Sequence, residues 1–229
     1  RQYAMSQNMV GGFYTSAIGF GWNTELLKKK KLPEPKCWAD LLNPKLKDEV
    51  QVADPNSSGT AYTMLATLVQ MMGEKEAFDY LRALHKNINQ YTKSGSAPIK
   101  AAGSGETVIG IVFVHDAVAV AEAGFPIKSV VPCEGTGYEI GSMSIIDGAR
   151  NMDEAKIFYD WALSADAQNL ALQVNAFQVP SNMGAQTSDS APDMSSIKLI
   201  DYDFKTYGSS ATRKRLLKKW DDEVSVLPQ

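Results

Sequence analysis

Two short stretches of hydroxyl residues and glycine stand where a predicted strand gives way to a predicted helix. The first holds Ser57, Ser58, Gly59 and Thr60, and the second holds Ser94, Gly95 and Ser96. A helix start offers free backbone N–H groups and the positive end of the helix dipole, to which hydroxyl groups add further donors. Each stretch could therefore bind a phosphate or a carboxylate, although a serine that only caps its helix leaves the same pattern. That two such stretches occur in one chain favours an anion site.

Another group of polar residues lies near the ends of predicted strands and could bind a polyol. His115 and Asp116 follow the apolar, β-branched run of residues 107–114, and Glu139 lies near a further strand end. Carboxylates hold sugar hydroxyls well, because charge-assisted hydrogen bonds are roughly twice as strong as neutral ones. They would repel a dianionic phosphate at close range, so a ligand that touches both groups should be bipolar. The pattern predicts phosphate at the serine stretches and sugar hydroxyls at His115, Asp116 and Glu139.

Nothing in the sequence supports catalysis directly. Ser57 and Ser58 are candidate nucleophiles, but the acid of a catalytic triad normally comes from another element, unlike the adjacent pair His115–Asp116. There is no GxSxG elbow, no GxxxxGK[ST] loop and no HExxH motif. We predict no catalytic residue and no cofactor. A phosphate-ester hydrolase, which would need turnover and a metal, and a purely structural interaction domain remain as alternatives.

The totals exclude several classes of function. The formal charge of −3 argues against a general nucleic-acid binder, and no apolar run approaches the length of a membrane span. Cys37 and Cys133 are the only cysteines, without CxxC or paired His/Cys spacing, so no metal site is predicted and their pairing stays open. The first residues resemble neither a signal peptide nor a translation start, which indicates a removed segment or a fragment.

The elements that must position these residues alternate as strand, loop and helix. Apolar spacing predicts a helix that has Ser57 or Ser58 as its N-cap and stops at Gly73, then a second helix over residues 74–87. Strands are predicted to end at Val52 and to cover residues 107–114, 127–131 and 140–146, and a short helix is predicted at residues 117–123. The last third is helical, over residues 151–164, 165–174 and 209–224. This alternation predicts an α/β fold with a largely parallel sheet, in which ligands sit at the carboxyl ends of the strands.

Several short motifs follow one another in an order that resembles a known family. They are Trp38-Ala39-Asp40-Leu41-Leu42-Asn43-Pro44, Asp54-Pro55-Asn56-Ser57-Ser58-Gly59-Thr60, Ser94-Gly95-Ser96-Ala97-Pro98, Gly137-Tyr138-Glu139-Ile140-Gly141, Trp161-Ala162-Leu163-Ser164 and Gln178-Val179-Pro180-Ser181-Asn182. Together they resemble the periplasmic solute-binding proteins of bacterial ABC importers, in the cluster that contains ferric-ion-binding proteins. The resemblance implies a type II periplasmic-binding-protein fold of two lobes with parallel-rich sheets that close on a ligand, a periplasmic location, no catalysis, and an ABC permease in the inner membrane as partner.

Within that cluster the ferric binders place two adjacent tyrosines after the strand that matches residues 107–114. This chain has His115-Asp116 there, as in the hexose-phosphate-binding members. In those members the His, Asp and Glu contact sugar hydroxyls and the serine-rich loops contact phosphate. The resemblance therefore implies a hexose phosphate as ligand, with a phosphonate, another small anion or ferric ion as alternatives.

The resemblance also implies that the first part of the family's chain is missing here. We expect a crossover segment at residues 1–14, a ligand-binding α/β lobe at residues 15–145, and C-terminal helices at residues 146–229 that complete the other, truncated lobe. Surface meant for the missing sheet would be exposed, which invites swapping or self-association.

Overall fold

The computed structural model describes residues 10–228 of the chain. The strands are β1 (Gly11–Asn23), β2 (Val50–Ala53), β3 (Ile88–Thr92), β4 (Ile109–Phe113), β5 (Ile127–Val130), β6 (Tyr138–Met143) and β7 (Val179–Pro180). The α-helices are α1 (Thr24–Lys29), α2 (Gly59–Met72), α3 (Glu74–His85), α4 (Ala97–Ser104), α5 (Val114–Glu122), α6 (Met152–Ala162), α7 (Ala165–Gln173), α8 (Phe204–Tyr207) and α9 (Ser210–Trp220). Short 3₁₀ turns cover Trp38–Leu42 and Pro44–Leu46, and a π turn, Asp221–Ser225, follows α9.

The chain divides into two compact units. The larger unit holds Ala17–Tyr138 and residues 195–228, and the smaller unit holds residues 10–16 and Glu139–Met194. The C-terminal residues 195–228 thus belong to the same compact unit as Ala17–Tyr138. The first predicted segment, residues 1–14, falls partly outside the described residues.

The sheet of the larger unit has the strand order β3-β2-β4-β1-β5. β2 pairs in parallel with β3 and with β4, whereas β1 runs antiparallel to β4 and to β5. The predicted α/β class is confirmed, and its sheet is mixed, because the long strand β1 lies between two strands of the opposite direction. The parallel part brings the carboxyl ends of β2, β3 and β4 to one edge of the sheet.

A large hydrophobic core and a second, smaller cluster around Ile99 and Val112 hold the larger unit together. β4 is buried along its whole length, as a strand covered on both faces should be. The apolar face of α2 packs against the sheet through residues such as Met64, Leu65 and Leu68. The 3₁₀ turn packs there through Trp38. The edge of the Trp38 ring contacts Phe20 of β1, with ring centroids 5.8 Å apart.

The final helix α9 joins this core by its own apolar face. Leu216 and Trp220 are buried in it, and the Trp220 ring meets Tyr91 of β3 edge to face at 5.3 Å. The basic residues of the helix lie on its other side, where Arg215 and Lys219 bind the carboxylate of Glu74. Helix α9 therefore docks on the core through its apolar face, which accounts for its assignment to the larger unit.

In the smaller unit the first part of β1 pairs with β7 through Tyr14 and Thr15, and β6 also pairs with β1. Helix α6 leaves Ile157, Phe158 and Trp161 exposed to solvent. Within residues 10–228, no helix combines the length and the apolar character needed to cross a bilayer.

Candidate functional site

The loop after β2 is shaped by its own side chains into a tight turn. The Asp54 carboxylate accepts a hydrogen bond from the backbone N–H of Asn56 at 2.8 Å, and the Asp54 carbonyl accepts the N–H of Ser58 at 2.9 Å. Ser58 is the N-cap of α2, because its Oγ accepts the N–H of Ala61 at 3.4 Å. The predicted cap is confirmed. Gly73 ends the helix as predicted, in the left-handed region with φ of 87°.

The starts of α2 and α4 leave backbone N–H groups free at the same edge of the sheet. In residues 10–228 no protein acceptor takes the N–H groups of Gly59, Thr60, Gly95 or Ser96. The first-turn N–H groups of a helix lack an intrahelical partner by construction and need an outside acceptor. Two helix starts therefore offer four N–H donors and two positive dipole ends, which suits a multivalent anion.

The two serine-rich loops touch each other. A Cβ placed on Gly95 would overlap the hydroxyl of Thr60 and lie 2.8 Å from its Cβ, so only glycine allows this approach. The hydroxyl of Ser57 donates to the carbonyl of Lys93 at 3.0 Å and thereby ties the first loop to the second. Because this bond uses the hydroxyl proton of Ser57, that residue positions the loops instead of offering a free donor.

The second loop presents its hydroxyls beside these N–H groups. The Oγ atoms of Ser94 and Ser96 lie 3.5 Å apart, and Ser96 precedes α4 without capping it through its side chain. Pro98 stands in the first turn of α4, where its lack of an N–H removes one donor that would otherwise be orphaned.

His115 and Asp116 lie in the first turn of α5, one turn earlier than the predicted start of that helix at residue 117. The imidazole of His115 is buried and stacks on the Phe113 ring, with centroids 5.8 Å apart and planes 11° apart. Its Nε2 lies 3.6 Å from Oδ1 of Asp116. Sequence reasoning missed Phe113, which stacks on the candidate residue His115. Its place two residues before the histidine is the sequence feature that could have indicated this contact.

Burial sets the charge of this pair. It lowers the pKa of His115 to about 4 and raises the pKa of Asp116 to about 6, the latter against the opposing field of Lys100. At neutral pH the histidine is therefore neutral and the aspartate ionised, so the 3.6 Å contact is not an ion pair. The pair presents a partly buried negative charge next to a neutral imidazole, which can receive and donate hydrogen bonds to hydroxyl groups.

Glu139 belongs to the smaller unit, whereas the other predicted site residues belong to the larger unit. The hydroxyl of Tyr14 donates to Oε1 of Glu139 at 3.4 Å, and the hydroxyl of Thr15 donates to its carbonyl at 2.8 Å. Sequence reasoning missed Tyr14, because no local pattern links two residues that lie 125 positions apart.

Cys37 and Cys133, whose pairing the sequence left open, form a disulfide that joins positions 96 residues apart. With Glu134 they make the cluster of potential metal-ligating groups that occurs in residues 10–228. Disulfide sulfurs carry no thiolate, so this cluster does not form a metal site. The Glu134 carboxylate instead accepts the N–H groups of Trp38 and Ala39 at 2.8 and 3.0 Å.

Known proteins resemble this chain over nearly its whole length. It is 52% identical over 219 residues to an uncharacterised protein of Haemophilus influenzae, covering 95% of this chain and 63% of that protein. It is 24% identical over 207 residues to the Fe(3+)-binding periplasmic protein of Serratia marcescens, covering 87% of this chain and 59% of that protein. The chain thus spans about three fifths of the length of these curated relatives.

A solved structure supports the same relationship. The periplasmic binding protein AfuA from Actinobacillus pleuropneumoniae, with exogenous fructose-6-phosphate bound, superposes with a TM-score of 0.92 at 52% identity. The match covers 96% of this chain and 70% of that one. The fold is that of the type II periplasmic binding proteins. The family model for bacterial extracellular solute-binding proteins matches residues 2–206. The chain belongs to the family of bacterial extracellular solute-binding proteins.

Proposed function

We propose that this chain is the ligand-gripping part of a substrate-binding component of an ABC importer, and that its ligand is a hexose phosphate. The observation that carries the proposal is the pair of converging helix starts. Their free N–H groups, on Gly59, Thr60, Gly95 and Ser96, face one edge of the sheet together with the hydroxyls of Ser94 and Ser96.

The converging loops form the phosphate end. A phosphate oxygen accepts backbone N–H groups well, and the two helix dipoles favour negative charge without a paired side chain. Ser58 adds a hydroxyl donor, since its Oγ acts as acceptor toward Ala61, while Ser57 holds the two loops in place. The carboxylate of Asp54 is turned toward Asn56, where it builds the turn.

The sugar end is the pair His115–Asp116. An ionised, partly buried carboxylate accepts hydroxyl groups through charge-assisted hydrogen bonds, and the neutral imidazole can both donate and accept. We propose Glu139 as the third residue that binds the sugar. A phosphate would not tolerate ionised Asp116 at close range, so this end selects the uncharged part of the ligand.

The relatives support a binding role rather than catalysis. The solved structure of AfuA, with which this chain shares 52% identity, has fructose-6-phosphate bound, and a sugar phosphate is the class of ligand that the two ends of the proposed site require. We propose that the protein catalyses no reaction and works in the periplasm, where it delivers its ligand to an inner-membrane permease. The disulfide Cys37–Cys133 supports an oxidising compartment.

A second candidate in the same class is a small-anion binder that takes a phosphonate or phosphate alone. The free N–H groups at the helix starts favour this candidate, because backbone donors can bind an anion that carries no sugar. In that case Asp116→Ala would leave the affinity for the anion nearly unchanged, whereas the hexose-phosphate proposal requires that this substitution lower the affinity for the sugar phosphate. Ferric ion, the ligand in the name of the Serratia relative, is the third candidate.

Isothermal titration calorimetry separates these candidates. The chain is titrated with glucose 6-phosphate, fructose 6-phosphate, free glucose, inorganic phosphate and ferric citrate. The proposal expects heat with a sugar phosphate, weaker binding of inorganic phosphate, and no binding of free glucose. Equal affinity for free glucose, or tight binding of ferric ion alone, would overturn it.

A further inference from the structure

Helices α4 and α5 begin at the same edge of the sheet and pack side by side. They follow β3 and β4, which both run parallel to β2, so both helix starts lie at the carboxyl edge of these strands. Ile99 of α4 and Ala117 of α5 share a buried cluster. Ile99 Cδ1 and Ala117 Cβ lie 2.5 and 3.2 Å from the place that a Cβ on Gly21 would take. The first turns of the two helices are therefore neighbours.

Two charged residues flank this contact. Lys100 directly follows Ile99, and Asp116 directly precedes Ala117. The charge of Lys100 acts on the Asp116 carboxylate, where it opposes the increase in pKa that burial causes. No carboxylate of residues 10–228 lies within 4.0 Å of the Lys100 ammonium. The ammonium is thus near the sugar end of the proposed site and keeps N–H donors for a ligand.

Lys100 also lies near the phosphate end. It lines a cavity of about 730 Å³ together with Thr92 and Lys93, which lead directly into Ser94 of the second serine-rich loop. In a helix the Cα–Cβ bonds tilt toward the N-terminus, so the long side chain of Lys100 extends back over the first turn of α4. From there its ammonium can approach an anion that is bound at the start of this helix.

A sugar phosphate creates an electrostatic cost that this position offsets. Ionised Asp116 and the phosphate carry charges of the same sign and are separated only by the sugar, so they repel each other. A cation that lies between two anions attracts both of them and lowers the energy of the arrangement. Of the two lysines that line the cavity, Lys100 is the one whose charge acts on Asp116.

We infer that Lys100 determines the charge specificity of the ligand site. Its ammonium binds a phosphate oxygen on the side that faces Asp116, and it favours a dianionic phosphate ester over a monoanionic ester of the same sugar. The inference rests on the proposed function, because it names the ligand charge that the same site selects. Coulombic attraction is proportional to the charge of the ligand, so loss of the ammonium weakens a dianion more than a monoanion.

The probes are glucose 6-phosphate and glucose 6-sulfate, titrated by calorimetry at pH 8. Phosphate monoesters have a second pKa of about 6 and are dianions there, whereas the sulfate ester is a monoanion. Lys100→Met should weaken glucose 6-phosphate about tenfold and glucose 6-sulfate about threefold. Lys100→Arg keeps the charge and should retain most of the affinity. The matched control is Lys86→Met, at an exposed position before the start of β3, and it should bind both esters like the wild type.

A double-mutant cycle separates direct binding of the phosphate from an effect that passes through Asp116. Lys100→Met should weaken glucose 6-phosphate in the Asp116→Asn background as well, because the phosphate is still present there. An effect that disappears in this background, or equal losses for the two esters, would overturn the inference.

The wild type distinguishes the two levels of the argument. A wild type that binds glucose 6-phosphate no more weakly than Lys100→Met, but still tightly, supports the proposed function and overturns this inference alone. A wild type that does not bind glucose 6-phosphate overturns the proposed function and the inference with it.

Discussion

The substitution Asp116→Asn should make the protein more stable while weakening its ligand binding. Burial raises the pKa of Asp116 from the ordinary 3.8 to about 6. This difference corresponds to a penalty of about 3 kcal/mol for the ionised carboxylate in the folded state. The position of Asp116 in the first turn of α5 returns up to about 1 kcal/mol of that through the helix dipole. Asparagine should therefore raise the free energy of unfolding at pH 7 by about 2–3 kcal/mol.

The pH dependence of the gain checks its cause. The folded state keeps the Asp116 proton up to a pH of about 6, whereas the unfolded chain releases it near 3.8, so the folded state binds more protons between these values. The stability of the wild type relative to the variant therefore falls as the pH rises through this window. The advantage of Asp116→Asn should be near zero at pH 4 and complete at pH 7.

The assay is urea unfolding of both proteins from pH 4 to pH 7, together with calorimetry of glucose 6-phosphate binding at pH 7. Loss of a charge-assisted hydrogen bond to a sugar hydroxyl should weaken binding about tenfold to hundredfold. Asp201→Asn, an exposed aspartate of the same unit, serves as the control and should change neither quantity. An Asp116→Asn variant that is less stable at pH 7, or whose gain does not depend on pH, would refute the reasoning.

Four further variants test other parts of the account. Gly95→Ala should lower the free energy of unfolding by about 1–3 kcal/mol in denaturant titration, because its Cβ overlaps Thr60. Gly59→Ala, whose Cβ meets nothing within 4 Å, should preserve stability but weaken phosphate binding by obstructing the N–H groups; unchanged affinity would contradict that contact. Replacing Cys37 and Cys133 by serine should lower stability by about 2–4 kcal/mol, and an unchanged urea midpoint would show that the bridge adds nothing. Glu139→Gln should weaken glucose 6-phosphate about tenfold in calorimetry, and equal affinity would remove it from the sugar end.

Those parts of the site that depend on neighbours in sequence could be predicted. The cap by Ser58, the stop at Gly73 and the strand Val50–Ala53 follow from side-chain hydrogen bonding, a left-handed backbone and apolar composition, all within a few residues. The predicted start of α5, at residue 117, was wrong by about one turn, because the helix begins at Val114. Val114 is β-branched and apolar, so it extends the pattern of the strand although its backbone is already helical.

Contacts between distant residues could not be predicted from such patterns. The close approach of Gly95 to Thr60 depends on the register of β2 with β3, and the disulfide depends on the packing of two loops 96 residues apart. The docking of α9 was visible as an apolar face, but its partner was not, since Trp220 could pack on any apolar surface. The place of Glu139 in a different unit from His115 likewise depends on tertiary structure.

The central claim is that the free N–H groups of two helix starts hold the phosphate of the ligand. The most direct measurement is a ¹⁵N–¹H NMR titration of the assigned chain with glucose 6-phosphate, and with free glucose in parallel. The account predicts that the amide signals of Gly59, Thr60, Gly95 and Ser96 move together on addition of glucose 6-phosphate and stay in place with glucose. Binding of glucose 6-phosphate that leaves these four amides unshifted would contradict it.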